Sequence, residues 1–193
     1  MPAIVERGEV TVGISTGGFS DCLLQAGASR IIGVDVGHGQ LSDKLKADKR
    51  VECIEGINAR DLRNTKLPEK LGNKKFDLVV IDVSFISLTL VLPEVISYLK
   101  DSAPILALVK PQFEVGRENL GKNGIVKDQT LYAIVESKIR RCCQSAGLIV
   151  EDYFESPIEG SDGNKEFFVF AKSPELGLSF NFSDDGGGGG HGL

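Results

Sequence analysis

The stretch Pro104-Ile105-Leu106-Ala107-Leu108-Val109-Lys110-Pro111-Gln112-Phe113-Glu114 sets an unbroken apolar run against an abrupt polar turn. Residues 104–109 have the length and composition of a strand buried on both faces. Apolar runs of the same kind occur at 10–14, 31–36, 51–54 and 77–81. Between them lie segments with helical spacing. Segment 19–26 places Phe19, Cys22, Leu23 and Ala26 on one face and stops at Gly27. Further helices are expected at 40–47, 88–99 and 128–146, the last ending at Gly147. Segments 148–154 and 166–171 read as a final antiparallel pair, joined by a loop containing Gly160, Gly163 and Asn164. Apolar strands alternating with helices predict an α/β fold, with a mostly parallel sheet, an antiparallel edge strand and helices on both faces.

Composition narrows the function. The chain has 193 residues, about one domain, and a net charge of -5. It is therefore not a general polyanion binder, and any nucleic-acid contact must come from a local patch. The four cysteines, Cys22, Cys53, Cys142 and Cys143, form no CxxC pair and show no metal spacing with His38 and His191. They read as small hydrophobes in a reducing cytoplasm. The window 76–99 is broken by Asp77, Asp82, Pro93 and Glu94, so no membrane span is expected, and the first ten residues carry no secretion signal. The run 186–190 is all glycine, and the segment 174–193 is expected to be a disordered tail.

Chemistry-bearing residues fall at strand ends, where open α/β sheets form their ligand crevice. The turn Gly13-Ile14-Ser15-Thr16-Gly17-Gly18-Phe19 follows the first strand. Its glycines let a backbone approach a ligand, or simply make a tight turn. Asp35, in Gly33-Val34-Asp35-Val36-Gly37, ends the second strand, where a carboxylate accepts from ribose hydroxyls or caps the next helix. Asp82 ends 77–81, and Lys110 ends 104–109. A carboxylate near that lysine would stabilise and orient its charge, while burial would favour its neutral, proton-accepting form. The plainer readings are a helix cap for Asp82 and a snorkelling side chain for Lys110. Glu166 opens the last strand and gains interest only as a third partner to Asp82 and Lys110. The loop 111–127 is long for a compact domain and carries Arg117, Lys122 and Lys127.

In this order and spacing, the motifs resemble the TlyA-type hemolysin and ribosomal RNA 2′-O-methyltransferases, a branch of the FtsJ-like class. The resemblance spans about residues 12–172. It rests on the turn 15–24, Val34-Asp35-Val36-Gly37-His38-Gly39-Gln40-Leu41, Asn58-Ala59-Arg60, the segment 80–88, Leu108 to Glu114 and Gly163-Asn164-Lys165-Glu166-Phe167. It implies a Rossmann-like methyltransferase domain over 1–173 that uses S-adenosylmethionine, needs no metal and acts on ribosomal RNA or a ribosomal subunit. Gly13, Ser15, Thr16, Gly17, Gly18 and Phe19 would lie under the cofactor's methionine part. Asp35 and Val36 would meet its ribose, Asn58 and Ala59 its adenine, and Asp82 would border it. Asp82, Lys110 and Glu166 would be catalytic. The family also carries a basic RNA-binding domain and a Ser-Arg-Gly-Gly-x-Lys segment ahead of the first strand, which residues 1–11 do not match. Thr11 stands where the family has Asp. Two readings of other classes stand beside this one. The first is a cofactor- or RNA-binding module of the same fold without turnover. The second is a membrane-active hemolysin, opposed by the absence of a span or a basic amphipathic helix.

Overall fold

The computed structural model describes residues 8–71, 74–160 and 162–175. The expected tail lies outside them except for Pro174 and Glu175. Seven strands form one sheet in the order β3-β2-β1-β4-β5-β7-β6. Strands β1 (Gly8–Val12), β2 (Arg30–Asp35), β3 (Val51–Glu55), β4 (Leu78–Ile81) and β5 (Pro104–Val109) are mutually parallel. The reversed strand is β7 (Phe167–Lys172), which sits between β5 and the edge strand β6 (Ile149–Glu155). The final hairpin is thus as expected, and its second strand is the one inserted into the sheet.

Both faces are covered. Successive side chains of a strand point to opposite sides, and β2 shows the consequence. Ile31 joins Ile14, Leu24, Leu41 and Leu45 beneath α1 (Gly18–Gln25) and α2 (Asp43–Lys46). Its neighbour Ile32 joins the larger core with Val79, Ile105, Val135 and Ile139. Val135 and Ile139 come from α5 (Leu131–Ser145), the long amphipathic helix. Two short helices, α3 (Leu67–Leu71) and α4 (Leu92–Val95), complete that side.

Local chemistry explains where elements differ from expectation. The strand expected at 10–14 ends at Val12, because Gly13 turns the chain with φ +77. The helix expected over 88–99 is broken into a 3-10 turn at Leu88–Leu90, α4, and a second 3-10 turn at Ile96–Tyr98. Pro93 stands in the first turn of α4 and has no N–H with which to continue the preceding turn. The helix α3 escaped the sequence reading because its five residues, with Pro68 inside, are too short for periodicity. Thr11 lies on β1 opposite Gly33 and Val80, and its side chain is outside the described residues. Cys143 is buried and its thiol pushed up to about 12 by burial, while Cys22 is exposed rather than buried.

One buried amide ties the long loop to the sheet. Asn164 is 1% exposed. Its Oδ1 accepts from the Val126 N–H at 3.0 Å, and its Nδ2 donates to the Gly124 carbonyl at 3.1 Å. Replacing Asn164 by Ala leaves the Val126 N–H and the Gly124 carbonyl unpaired. We expect a loss of about 1–3 kcal/mol, read from urea unfolding midpoints, with amides in 116–127 losing hydrogen-exchange protection first.

Candidate active site

The strand order reverses between β1 and β4, and the crevice opens at their C-terminal ends. Gly13 and Asp82 meet there. The Asp82 N–H donates to the Val12 carbonyl at 2.9 Å. A Cβ on Gly13 would lie 1.9 Å from the Asp82 carbonyl oxygen, so only glycine allows the approach. Ser15 also holds a positive φ of 49°. Its N–H donates to Asp35 Oδ2 at 2.8 Å, and the Gly37 N–H donates to Oδ1 at 2.8 Å. Asp35 therefore ties the turn after β1 to the turn after β2.

Above these turns lies a cleft of about 560 Å³. Its lining includes Gly13, Ser15, Asp35, Val36, Asn58, Ala59 and Asp82. Val36 is 71% exposed, an apolar side chain left open to the cleft. Asn58 is held by an Asx turn, its Oδ1 accepting from the Arg60 N–H at 3.0 Å. Thr16, Gly17, Gly18 and Phe19 do not line this cleft. A Cβ on Gly17 would meet Leu45 of α2 at 2.0 Å, so this glycine serves helix packing. Phe19 sets its ring edge-on to Phe168, centroids 6.2 Å apart.

A second cleft of about 830 Å³ shares the wall formed by Arg60, Ser84, Phe85 and Ile86. Its lining includes Lys110, Gln112, Arg117, Asp162 and Glu166. Lys110 Nζ lies 2.6 Å from Asp82 Oδ1, with the lysine side chain 14% exposed. The same Nζ donates to Ser84 Oγ at 3.0 Å. Asp82 Oδ1 is itself buried and makes no hydrogen bond, so this ion pair is what compensates its charge. Glu166 is 9% exposed, and burial pushes its carboxyl above the ordinary glutamate range. The charge of Lys110 opposes that rise, and those of Asp82 and Asp162 add to it. The structure thus brings together Asp82, Lys110 and Glu166, with Lys110 paired to Asp82 and Glu166 reaching the pair through its field.

Sequence reasoning missed Phe85. It is 87% exposed, sits at φ +63, and leans its ring on Phe113 with centroids 5.1 Å apart. A bulky residue in left-handed backbone costs energy, and such strain concentrates at functional sites. Phe85 lies inside the Asp82-to-Ser87 motif, but nothing in that run marked its exposure or its left-handed backbone.

Among the described residues, no group of three or more His, Cys, Asp or Glu is placed to hold a metal, and no helix is long and apolar enough to cross a membrane. The first cleft suits a nucleoside. Asp35 offers acceptors for ribose hydroxyls, Val36 and Ala59 offer apolar surface, and Gly13 lets the backbone come close.

Comparison with known proteins identifies the family. Residues 5–173 match the FtsJ-like methyltransferase family. The 16S/23S rRNA (cytidine-2′-O)-methyltransferase TlyA of Mycobacterium tuberculosis is 41% identical over 171 residues, which is 89% of this chain and 62% of TlyA. The chain thus spans less than two thirds of that relative. A hemolysin structure from Lactococcus lactis superposes with a TM-score of 0.80 at 38% identity, over 88% of this chain and 79% of that one. A SAM-dependent methyltransferase from Methanosarcina mazei shares the fold alone, with a TM-score of 0.62 at 14% identity, over 88% of this chain and 93% of that one.

The raised affinity of Glu166 for a proton has a thermodynamic consequence. The folded state resists ionising this carboxyl, so below its ordinary value of 4.5 the group costs nothing. As pH rises from there through the folded value, stability is lost. The melting temperature of Glu166→Gln minus that of the parent should grow with pH across this window and then level off. A pH-independent difference would show that Glu166 ionises freely in the folded protein.

Proposed function

Because the chain belongs to the FtsJ-like methyltransferase family, we propose that it transfers a methyl group from S-adenosylmethionine to a ribose 2′-hydroxyl of ribosomal RNA in the cytoplasm. The observation that carries this reading is the Lys110–Asp82 ion pair at the wall between the two clefts. The cofactor, when bound in the first cleft, supplies an electrophilic methyl group on a sulfonium. Gly13, Ser15, Asp35, Val36, Asn58 and Ala59 would hold it. The second cleft takes the nucleotide. Arg60 and Arg117 are exposed at its lining and supply the local positive charge that the net charge of -5 lacks. Phe85 offers a stacking face for an unstacked base.

A ribose hydroxyl is a weak acid and must lose its proton as its oxygen attacks. Lys110 Nζ, fixed by Asp82 and Ser84, orients that oxygen and stabilises the negative charge growing on it. Glu166, a carboxylate lining the same cleft whose burial strengthens its hold on a proton, receives it. Neither role needs a metal. Much of the acceleration comes from alignment, because both clefts open on one rigid sheet edge.

The test is methyl transfer to intact ribosomal subunits from radiolabelled S-adenosylmethionine, with the product located by alkaline hydrolysis. A 2′-O-methyl group blocks the neighbouring linkage from cleavage, whereas a base methyl does not. We expect protected linkages, and a rate about 10²–10⁴-fold lower for Lys110→Ala. Label confined to bases, or an unchanged rate for Lys110→Ala, would overturn the proposal.

A further inference from the structure

Two loops carry the reactive side chains. One leaves β4 with Asp82, Ser84 and Phe85, and the other leaves β5 with Lys110, Gln112 and Phe113. They are fastened to each other in register. Lys110 reaches Asp82 and Ser84, Phe113 reaches Phe85, and Glu114 reaches Ser87 and Leu88. The Glu114 fastening is the most enclosed of the three, its side chain only 2% exposed. Its Oε2 accepts from Ser87 Oγ at 2.6 Å and lies 2.7 Å from Lys138 Nζ of α5. Its Oε1 accepts from the Leu88 N–H at 2.6 Å. Lys138 also donates to the Glu114 carbonyl at 3.0 Å.

A buried carboxylate is costly unless its oxygens are filled, and an apolar side chain of similar size would serve stability as well. What hydrogen bonds add is direction. Apolar surfaces slide over one another, whereas three donors converging on one carboxylate fix a single register. The Leu88 N–H opens the 3-10 turn Leu88–Leu90, which Ser87 caps by accepting from the Thr89 N–H. Glu114 therefore sets the point at which the β4 loop ends. Phe85, with its left-handed backbone, lies between that point and Asp82 and needs such restraint.

We infer that Glu114 is a positioning residue: it clamps the β4 loop onto the β5 loop and so holds Lys110 against Asp82, with Lys138 as the counter-ion of the clamp. The purpose of that geometry rests on the methyl-transfer reading above, while the clamp itself is testable without it.

The experiment compares Glu114→Ala, Glu114→Gln and Ser87→Ala with the parent chain. Three quantities are read: melting temperature, methyl-transfer kcat and KM on ribosomal subunits, and the rate at which acetic anhydride acylates Lys110, by mass spectrometry against the other lysines. Glu114→Gln keeps an oxygen for the Leu88 N–H, reverses the Ser87 hydrogen bond so that the hydroxyl accepts from the amide, and loses both the charge and the acceptor that face Lys138. Ser87→Ala removes one partner and leaves the charge paired. We expect kcat to fall about 10²-fold in Glu114→Ala, less in the other two, with KM for S-adenosylmethionine unchanged. Lys110 acylation should quicken several-fold in the same order, and Glu114→Gln should restore most of what Ala loses. A lower melting temperature with unchanged kcat and unchanged Lys110 acylation, in any folded variant of Glu114, would reduce the residue to a structural role and overturn the inference. If Glu114→Ala does not fold, Glu114→Gln and Ser87→Ala decide by the same readings. A parent chain that transfers no methyl group to ribosomal RNA contradicts the proposed function, and Lys110 acylation still decides the clamp.

Discussion

The ion pair between Lys110 and Asp82 depends on parallel register, and the rest of the site depends on the ion pair. Strands β4 and β5 run side by side with Val79 opposite Ile105 and Ile81 opposite Ala107. Both strands therefore finish on the same edge of the sheet. Asp82 is the first residue past β4, and Lys110 the first past β5. The long lysine side chain spans the remaining gap and meets the shorter carboxylate at 2.6 Å. Because β1 and β2 end on that same edge, Gly13 and Asp35 come to border the same crevice. A slip of one residue between β4 and β5 would turn every apolar side chain of the shifted strand to the other face. The two cores flanking the sheet therefore hold the chemistry in place.

Stability and function pull against each other along this edge. Charges are half-withdrawn from water at Asp82, Lys110 and Glu166, and the backbone is left-handed at Ser15 and Phe85. Each feature costs energy that a simpler loop would not. Polar anchors behind the edge compensate: Asn164 under the loop 116–127, and Glu114 between the β4 and β5 loops. Both are nearly out of solvent and both bind backbone amides.

Residue type and position alone revealed part of this. Apolar runs located the strands, because a sheet covered on both faces needs them, and a polar residue just past such a run must sit at the crevice. Asp35, Asp82 and Lys110 were legible for that reason. The glycine turn was legible only in part. Gly13 and Ser15 reach the first cleft, while Gly17 relieves a clash with Leu45 and Phe19 packs on Phe168. Spacing treats these glycines alike, and only the fold separates them. Glu114 was visible within its motif, but its partners Ser87 and Lys138 lie 27 and 24 positions away in opposite directions. The exposure and backbone strain of Phe85 likewise had no one-dimensional signature. The broken helix near Pro93 shows a local rule overriding periodicity.

The account divides labour between two clefts: one takes the cofactor, the other takes the nucleotide, and Lys110 serves only the second. Calorimetric titration with S-adenosylmethionine tests that division most directly, using the parent chain, Asp35→Ala and Lys110→Ala. The account predicts saturable binding by the parent, affinity at least about tenfold weaker for Asp35→Ala, equivalent to about 1.4 kcal/mol, and unchanged affinity for Lys110→Ala. Equal losses in both variants, or full affinity in Asp35→Ala, would contradict it.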